Sequence, residues 1–426
     1  MATQDTVIAS ETSAQPTLSG KKTLKREKIL VEAISQMNER GASFLSLNSV
    51  AVSMGLSRNT LYYYFKSRAD LIYSCYLRAA NAMADDLESA CLVDSCPVQR
   101  IRRFIIASLA SERIAISDLT LLDDAQRQTI TTLRKRNEDQ LSRLIQQGIE
   151  QESFRHINPV ITCQVLLGLL NWSQLSSHWF NDIEAPSPQT AADTIINLFL
   201  DGICRDSALK FECTINYQAL QSTTFNAFDP DSVNEEKRRQ LLGKASLLFN
   251  QRGIDAVSLD DIAQHIGTSK GAVYHYFKDK PSLVRACYKQ AFDQYDSFIE
   301  ASTRKNLTDL ESLLSIGHLH SQAQASSFPP LILQPGEAVF FDDYSAIADR
   351  LREKIDVLRQ RCLLDGSIRD IDSNGVHTSA GAHFWISKWQ QDNPKAASEL
   401  DSRDLADAIY AIISQGIKKR LMPNPK

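Results

Sequence analysis

Two short polar segments of the chain carry side chains suited to binding a nucleic acid. Arg58 and Tyr62 are four residues apart, so on a helix they would share one face, with Asn59 beside them. Arginine can hold the edge of guanine, asparagine can pair with adenine, and a tyrosine hydroxyl can bind a phosphate. The same spacing recurs much later, with Lys270 and Tyr274. The side chains of both segments could therefore form hydrogen bonds with base edges and with phosphates.

The two segments belong to an internal repeat. Residues 26–76 align without a gap on residues 238–288, at a constant offset of 212. The identical pairs include Asn38/Asn250, Arg40/Arg252, Gly41/Gly253, Ser46/Ser258, Gly55/Gly267, Ser57/Ser269, Tyr62/Tyr274, Tyr64/Tyr276 and Phe65/Phe277. Weaker matches continue beyond, so we predict two copies of one unit of about 200 residues. The alternative is two unrelated helical domains that share one motif.

Each repeated segment carries the signals of three helices. In the first copy Gly41 marks the end of one helix, and Ser46 is placed to cap the next. Gly55 then makes a tight turn, and Ser57 caps a third helix. The matching residues of the second copy are Gly253, Ser258, Gly267 and Ser269. Two short helices joined by a glycine turn and braced by a third form a helix-turn-helix.

Positive charge is concentrated in these segments, although the chain as a whole is mildly acidic. The 426 residues carry 47 Lys/Arg against 51 Asp/Glu, a net charge of −4. Residues 1–78 and 235–289 each hold ten Lys/Arg against six Asp/Glu, a net charge of +4 each, which leaves −12 for the remainder. Locally basic segments of this kind are what phosphate binding requires. The alternative, that the aromatic run around Tyr62 is plain core, is accepted for Phe65 and Phe277 and partly for Tyr64 and Tyr276.

The pattern from Ser46 to Phe65 resembles the DNA-binding domain of TetR-family transcriptional regulators, and Ser258 to Phe277 resembles a second one. The first copy has Asn59 where the family commonly has glycine, whereas the second has Gly271, which costs about 1 kcal/mol of helix propensity relative to alanine. A close approach of the backbone to a phosphate would explain that glycine.

The resemblance implies an all-α fold of two tandem units, each a three-helix DNA-binding domain followed by a helical ligand-binding and dimerisation domain. The expected DNA-binding residues of the first copy are Ser46, Asn48, Ser57, Arg58, Asn59, Thr60, Tyr62, Tyr63, Tyr64, Lys66 and Arg68. Those of the second copy are Ser258, Asp260, Ser269, Lys270, Gly271, Ala272, Tyr274, His275, Tyr276, Lys278 and Lys280. The resemblance implies phosphate contacts for Tyr62, Tyr64, Arg68, Tyr274, Tyr276 and Lys280.

The regions after each helix-turn-helix are predicted to be amphipathic helices. The stretch Leu166–Trp172, followed by Trp179, resembles the ligand domains of TetR-like regulators that sense acyl-CoA thioesters or similar lipophilic metabolites. Candidate ligand-binding residues are therefore Asn171, Trp172, Trp179, Trp385 and Trp389. The alternative is that these tryptophans are ordinary core. His318 and His320 lie two apart, so on a helix they would point to different faces.

The expected layout divides the chain into six parts. They are a disordered tail (1–20), a first DNA-binding domain (21–78), a first regulatory domain (79–206), a linker (207–234), a second DNA-binding domain (235–289) and a second regulatory domain (290–426). The linker is expected to have little helix. The eight cysteines are scattered without metal-ligand spacing, and no catalytic constellation is visible, so we expect no metal, no cofactor and no enzymatic activity. No apolar stretch is long enough to span a membrane.

The sequence therefore predicts a DNA-binding transcriptional regulator, most simply a repressor, in the cytoplasm of a bacterium and associated with its nucleoid. One chain would act as an intramolecular pseudo-dimer on an imperfect palindrome of operator DNA, with further homodimerisation left open. A lipophilic or acyl-CoA-type effector would relieve or tune binding. Two alternatives remain: a regulator in which one DNA-binding segment is vestigial and serves as a protein-interaction module, and a helical small-molecule-binding protein or enzyme.

Overall fold

The structure, a computed structural model, describes residues 18–93, 96–110, 113–114, 119–179, 186–206, 208–221, 226–304, 306–334, 345–370, 377–392 and 400–419. Within these ranges the chain is helical and forms no β-strand, which confirms the all-α fold. The helices of the first copy are α1 (Leu18–Arg40), α2 (Leu47–Ser53), α3 (Arg58–Tyr64), α4 (Arg68–Val93), α5 (Pro97–Leu109), α6 (Asp124–Glu150), α7 (Pro159–Trp179) and α8 (Pro188–Asp201).

The short helix α9 (Tyr217–Gln221) lies between the copies. The helices of the second copy are α10 (Pro230–Arg252), α11 (Leu259–Ile266), α12 (Lys270–Tyr276), α13 (Lys280–Thr303), α14 (Asp309–Gln324), α15 (Ser345–Leu364), α16 (Gly381–Phe384), α17 (Ile386–Asp392) and α18 (Ser402–Gln415). In each copy the first four helices correspond to the repeated segment, and the later ones form the regulatory half.

The first helix-turn-helix is built from the local signals in its sequence. Helix α1 ends before Gly41, whose φ of 86° favours glycine. Ser46 caps α2 in a reciprocal capping box with Ser49, and Ser57 caps α3 by accepting a hydrogen bond from a backbone N–H. Helices α1 to α4 then close over a separate apolar core. Its fully buried members include Ile29, Ile34, Val50, Leu61, Phe65 and Leu71.

The second helix-turn-helix repeats this construction. Ser258 caps α11 in a capping box with Asp261, and Ser269 caps α12. Gly267 ends α11 in the left-handed conformation, with a φ of 75°. Its core is continuous with that of the two regulatory halves. Its fully buried members include Ala245, Phe249, Val257, Ile262 and Val273.

The two regulatory halves pack directly on each other. Helix α7 of the first copy contacts α16 and α18 of the second, and α8 contacts α18. Where α7 meets α16, a Cβ added to Gly168 would lie 2.2 Å from the carbonyl oxygen of Gly381, and one added to Gly381 would lie 2.5 Å from that of Gly168. The backbones approach so closely that only glycine fits at either position.

Reciprocal backbone hydrogen bonds join the same halves. The Arg155 N–H donates to the Ile417 carbonyl at 2.8 Å, and 214 positions later the Arg369 N–H donates to the Ile203 carbonyl at 2.9 Å. Three more pairs of bonds follow this exchange, each at 2.9–3.0 Å. They are Ile203 to Ile413 with Ile417 to Phe199, Cys204 to Ser414 with Lys418 to Leu200, and Lys419 to Ser153 with Arg205 to Ser367. The two copies are therefore related by an approximate two-fold axis.

The connection between the copies contains more helix than its sequence suggested. Helix α10 begins at Pro230, inside the predicted linker, and α9 lies wholly within it. The prediction of little helix is wrong at this end because Asp229–Pro230 is not a turn. Asp229 caps α10, and a proline at the first helical position loses no hydrogen bond. Similarly, α1 begins at Leu18 within the predicted tail, and residues 1–17 lie outside the described residues.

The connection also packs against the second copy. Cys213 and Ile215 are buried in a small cluster with Phe298 and Leu319. The Arg403 guanidinium donates to the Cys213 carbonyl at 2.9 Å. This part of the connection is therefore held in place rather than spanning the copies as free coil.

All eight cysteines are free thiols. Among the residues that the structure describes, no helix is long and apolar enough to cross a membrane. The same residues contain no cluster of three or more His, Cys, Asp or Glu side chains that could hold a metal ion.

Candidate nucleic-acid interface and small-molecule cavity

Helix α3 presents a polar outer face because its apolar residues point into the core. Leu61 and, just past the helix, Phe65 are completely buried. Arg58, Asn59 and Tyr62 are exposed on the opposite side. The predicted side chains therefore share an accessible surface, as base recognition requires.

Aromatic rings hold two cations on this surface. The Arg58 guanidinium lies 5.5 Å from the Tyr62 ring centroid and donates to the Tyr62 hydroxyl at 3.2 Å. The Lys22 ammonium, from α1, lies 4.4 Å from the ring centroid of Tyr63, which is 65% exposed. Exposed cation–π contacts contribute about 0.5–1 kcal/mol, enough to bias where these charges sit. Sequence reasoning missed Lys22, because the long α1 helix brings it to α3 from far along the chain.

Helix α12 offers the matching surface in the second copy, with a different charge arrangement. The Lys270 ammonium lies 5.7 Å from the Tyr274 ring centroid, like Arg58 over Tyr62. It also forms an ion pair with the Asp260 carboxylate at 2.9 Å, and this hydrogen bond raises the pKa of Lys270. Asp260 thus offsets part of the positive charge that the second copy presents.

The space around Gly271, at the start of α12, is unoccupied by other parts of the protein that the structure describes. A Cβ added there would have one neighbour within 4 Å, the Ser269 hydroxyl at 3.9 Å. Nothing inside the protein therefore demands glycine at this position. The exposed backbone beside Lys270 is compatible with close approach of a phosphate.

Arg68 and Lys280, both expected to contact phosphate, are turned toward the protein. The Arg68 guanidinium donates to three carbonyl oxygens of the loop between α1 and α2, at 2.6 to 2.8 Å. The Lys280 ammonium donates to the Asp255 carbonyl at 3.3 Å in the equivalent loop. Arg68 thus braces the helix-turn-helix, and its geometry argues against the expected phosphate contact.

The predicted DNA-binding residues differ in their exposure and in their hydrogen-bond partners. The exposed ones are Asn48, Ser57, Arg58, Asn59, Tyr62, Tyr63, Lys66, Ser258, Asp260, Ser269, Lys270, Gly271, Tyr274, His275 and Lys278. The half-buried ones are Ser46, Thr60, Tyr64, Arg68, Ala272, Tyr276 and Lys280. The four capping serines hold helix N-termini, and the Tyr276 hydroxyl donates to Asn234 at 2.7 Å.

One pair of supporting contacts is common to both copies and was not predicted. The Arg26 guanidinium of α1 lies 4.9 Å from the Phe65 ring centroid, and that of Arg238 in α10 lies 5.6 Å from the Phe277 centroid. Both pairs are related by the repeat offset of 212. Arg26 and Arg238 are the first aligned pair of the repeat, so the alignment already indicates that the two arginines occupy equivalent positions.

A mainly apolar cavity of about 150 Å³ lies in the regulatory half of the second copy. Helices α13, α14 and α15 contribute Ile299, Leu313 and Leu351 to its wall. The first copy contributes Trp172 and Ile203. The shape of the cavity therefore depends on how the two copies pack.

The predicted ligand-binding residues are only partly collected there. Trp172 lines the cavity, whereas the buried Trp385 donates from Nε1 to the Gly168 carbonyl at 3.3 Å, in the contact between copies. Trp389 is buried, Asn171 is half-buried, and neither is part of the cavity wall. The side chain of Trp179 lies outside the described residues.

Three histidines line the same cavity: His320, His377 and His383. Burial lowers the pKa of His320 to about 3, and burial together with the nearby His320 holds the pKa of His383 well below its usual range. His318 points elsewhere, as its spacing predicted: its ring nitrogens bond to Asp407 at 2.7 Å and Gln322 at 3.1 Å. Sequence reasoning missed His383, because no spacing rule links it to α14.

Comparison with known families gives three matches. The sequence profile described as "Bacterial regulatory proteins, tetR family" matches residues 29–75 and again residues 241–287. The profile described as "Tetracyclin repressor-like, C-terminal domain" matches residues 97–203.

Each of two curated relatives matches less than half of this chain. The chain is 28% identical over 209 residues to the HTH-type transcriptional repressor KstR2 of Mycolicibacterium smegmatis, covering 45% of this chain and 98% of that protein. It is 41% identical over 71 residues to the transposon Tn10 TetC protein of Escherichia coli, covering 17% and 35%.

Among solved structures, PfmR from Thermus thermophilus, a TetR family regulator, matches with 26% identity and a TM-score of 0.32, covering 40% of this chain and 97% of that one. AibR, solved in complex with isovaleryl coenzyme A and operator DNA, matches with 19% identity and a TM-score of 0.34, covering 41% and 96%.

Proposed function

We propose that this chain, which belongs to the TetR family of bacterial regulatory proteins and contains its DNA-binding domain twice, regulates transcription by binding one operator with both domains at once. Binding would place it in the bacterial cytoplasm, at the nucleoid. The observation that carries the proposal is the reciprocal set of backbone hydrogen bonds between the copies.

A two-fold dimer has self-complementary contacts, in which residue i of one subunit meets j of the other and j meets i. Here Arg155 meets Ile417 while Arg369 meets Ile203, and each residue has its repeat counterpart in the other pair. The chain thus has, within itself, the kind of interface that a homodimer forms between subunits. This supports an intramolecular pseudo-dimer with its two DNA-binding domains related as in a symmetric dimer.

The operator is proposed to be an imperfect palindrome. The exposed faces of α3 and α12 differ at Arg58/Lys270, Asn59/Gly271 and Tyr63/His275. An arginine fork can hold guanine with two hydrogen bonds, whereas a lysine is a single flexible charge. Different side chains at equivalent places favour different bases in the two half-sites.

The protein is proposed to act as a repressor tuned by a small lipophilic effector. The cavity lies where both copies contribute to its wall, so a bound molecule would bias their relative packing and with it the spacing of the DNA-binding domains. Its volume of about 150 Å³ suits a small molecule or a short acyl group, and is small for an entire acyl-CoA.

Sequencing of genomic fragments captured by the full chain, followed by footprinting and native mass spectrometry of the complex, tests this proposal. We expect one chain per operator, two protected segments about one helical turn apart, and unequal half-site sequences. Two chains on a perfect palindrome would contradict the pseudo-dimer. Absence of any specific fragment would contradict the regulator itself.

A second candidate, in which only the first DNA-binding domain is active, is favoured by one observation. The ion pair with Asp260 offsets the positive charge of Lys270 on the exposed face of α12. The contacts described for Arg58 include no such carboxylate. The footprint separates the candidates, because a single active domain protects one half-site.

A further inference from the structure

We propose that His320 and His383 together recognise the polar group of the effector, and that this effector is a compact apolar molecule with one hydroxyl or carbonyl group. The role of the bound molecule as an effector rests on the proposed function, whereas its binding in the cavity does not.

The two imidazoles come from different helices and meet at the cavity. His320 belongs to α14 and His383 to α16, and their ring centroids are 5.2 Å apart. His320 Nε2 and both ring nitrogens of His383 are buried and have no hydrogen-bond partner among the described residues. A buried polar atom without a partner loses its solvation and gains nothing in return, so it is rare in native proteins. Three such atoms beside one cavity indicate a molecule that bonds to them.

A neighbouring histidine shows that the fold can satisfy a buried imidazole here. His318 lies on the same helix and is fully buried, yet Asp407 and Gln322 engage both of its ring nitrogens. On α14, an unpaired ring nitrogen is therefore found only for the histidine that faces the cavity, among the residues that the structure describes.

The walls around the two histidines set the size and character of the ligand. The Tyr295 ring centroid lies 4.4 Å from that of His320, and the Phe384 centroid lies 5.0 Å from that of His383 and 4.6 Å from that of Trp172. A cavity near 150 Å³ with apolar walls can hold a molecule of benzene's size. A six-membered ring with one polar substituent matches both the volume and the aromatic walls.

The protonation state of the histidines selects the polar group. Because burial keeps the pKa of both well below neutrality, each is an uncharged imidazole with one N–H donor and one acceptor nitrogen. A hydroxyl can both donate and accept, and a carbonyl can accept. A carboxylate would need a cation. The guanidinium in the cavity wall, that of Arg352, is paired with Asp349 at 2.9 Å, and the third histidine of the wall, His377, interacts electrostatically with the Asp356 carboxylate.

The site belongs to the second copy. An offset of 213 relates Gly168 to Gly381 and Trp172 to Trp385. By the same offset, the residue of the first copy that corresponds to His383 is the buried Leu170. The first copy thus has an apolar side chain where the second has an imidazole. We therefore expect one such site per chain.

The test uses the full chain with phenol and cyclohexanone as probes and toluene as the apolar reference. Binding is followed by calorimetry and by the fluorescence of Trp172, assigned with Trp172→Phe. We expect one phenol per chain, bound at least tenfold more tightly than toluene. His383→Leu, which installs the residue of the first copy, should weaken phenol about tenfold or more and leave toluene unchanged. His275→Leu, the same substitution on the exposed face of α12, should change neither affinity.

Histidine ¹⁵N chemical shifts of the unaltered protein give a second measurement that does not depend on how a variant folds. Phenol should shift the resonances of His320 and His383 and leave that of His275 in place. Equal affinity for phenol and toluene, no effect of His383→Leu, or no binding of any probe would overturn the inference. If phenol binds as expected but operator affinity does not change, the site stands and the sensing part of the proposed function fails. If operator DNA binds and no probe does, the inference fails and the DNA-binding part of the proposed function stands.

Discussion

The backbone N–H of Arg155 donates a hydrogen bond to the carbonyl oxygen of Ile417 at 2.8 Å, across the contact between the two copies. The Arg155 side chain strengthens the same contact, because its guanidinium donates to the Ala411 carbonyl at 2.8 Å and also bonds to Gln415. Backbone bonds of this kind depend on close approach of the two copies. The stability of the chain and the placement of its DNA-binding domains should therefore be sensitive to the glycines that allow that approach.

Gly168→Ala should destabilise the protein. The added methyl group would meet the Gly381 backbone at 2.2 Å, and backbone atoms cannot move aside cheaply. We expect a loss of about 2 kcal/mol or more in the free energy of unfolding, as for other overpacked sites. The matched control is Gly271→Ala, also within a helix, where the added group has open space and should stabilise by up to about 1 kcal/mol. Chemical denaturation of both variants measures the difference, and equal stability would contradict the close contact.

Gly271→Ala makes a separate prediction for DNA. If the α12 backbone approaches a phosphate, the methyl group should weaken operator binding severalfold while the protein becomes more stable. We therefore expect this substitution to raise the stability of the protein and to lower its affinity for operator DNA. Unchanged affinity would mean that the backbone at Gly271 stays clear of DNA.

Arg58→Ala and Lys270→Ala should each weaken operator binding. A base contact is worth about 1–3 kcal/mol, and its loss should relax the preference at one half-site only. A phosphate contact would instead lower affinity for all sequences and reduce the salt dependence. Arg304→Ala serves as the control, because it removes an exposed cation that lies just past the end of α13 and is paired with Glu300. If Lys270→Ala has no more effect than the control, the second DNA-binding domain is inactive.

Arg68→Ala should act on stability rather than on phosphate binding. Its guanidinium holds three loop carbonyls, and hydrogen bonds to charged groups contribute about 1.5–3 kcal/mol each at most. We expect a lower melting temperature and no rescue by Arg68→Lys, since one ammonium cannot reproduce the planar fork. A variant of normal stability that binds operator weakly would restore the phosphate role.

Acidification should destabilise the fold through His320. Its folded pKa of about 3 lies below the value of about 6.5 in an unfolded chain, so the unfolded state gains a proton first as the pH falls. Stability is therefore full above pH 6.5 and is lost between about pH 6.5 and 3, by up to about 4–5 kcal/mol. The lowered pKa of His383 changes the stability in the same direction as the pH falls.

His320→Leu should flatten this part of the stability profile relative to the unaltered protein. Carboxylates that titrate at low pH act on both proteins alike, so the difference between the two profiles reports the titration of His320 together with its effect on the neighbouring His383. Parallel profiles would mean that the fold does not hold His320 as an uncharged group.

The sequence was informative where structure is decided locally. The caps at Ser46 and Ser258, the glycine turns and the buried face of α3 all depend on residues a few positions apart, and all are present as predicted. The same local reasoning failed at Asp229–Pro230, since a turn signal and a helix start use the same residue types.

Features that depend on distant parts of the chain could not be predicted. The role of Arg68 is fixed by loop carbonyls more than twenty residues away, and the pairing of His320 with His383 joins helices that only the folded core brings together. Similarly, Trp385 looked like a ligand contact but supports the approach of the two copies. Spacing in a sequence says little about which neighbour a buried side chain will meet.

The packed connection between the copies bears on how the protein behaves at low concentration. A dimer of separate subunits dissociates on dilution, whereas two halves on one chain face each other at an effective concentration in the millimolar range. A few molecules per cell would therefore keep their two DNA-binding domains paired. Because each half is encoded separately, a substitution in α12 need not appear in α3. In the proposed binding mode, the two half-sites of the operator can therefore diverge in evolution one at a time.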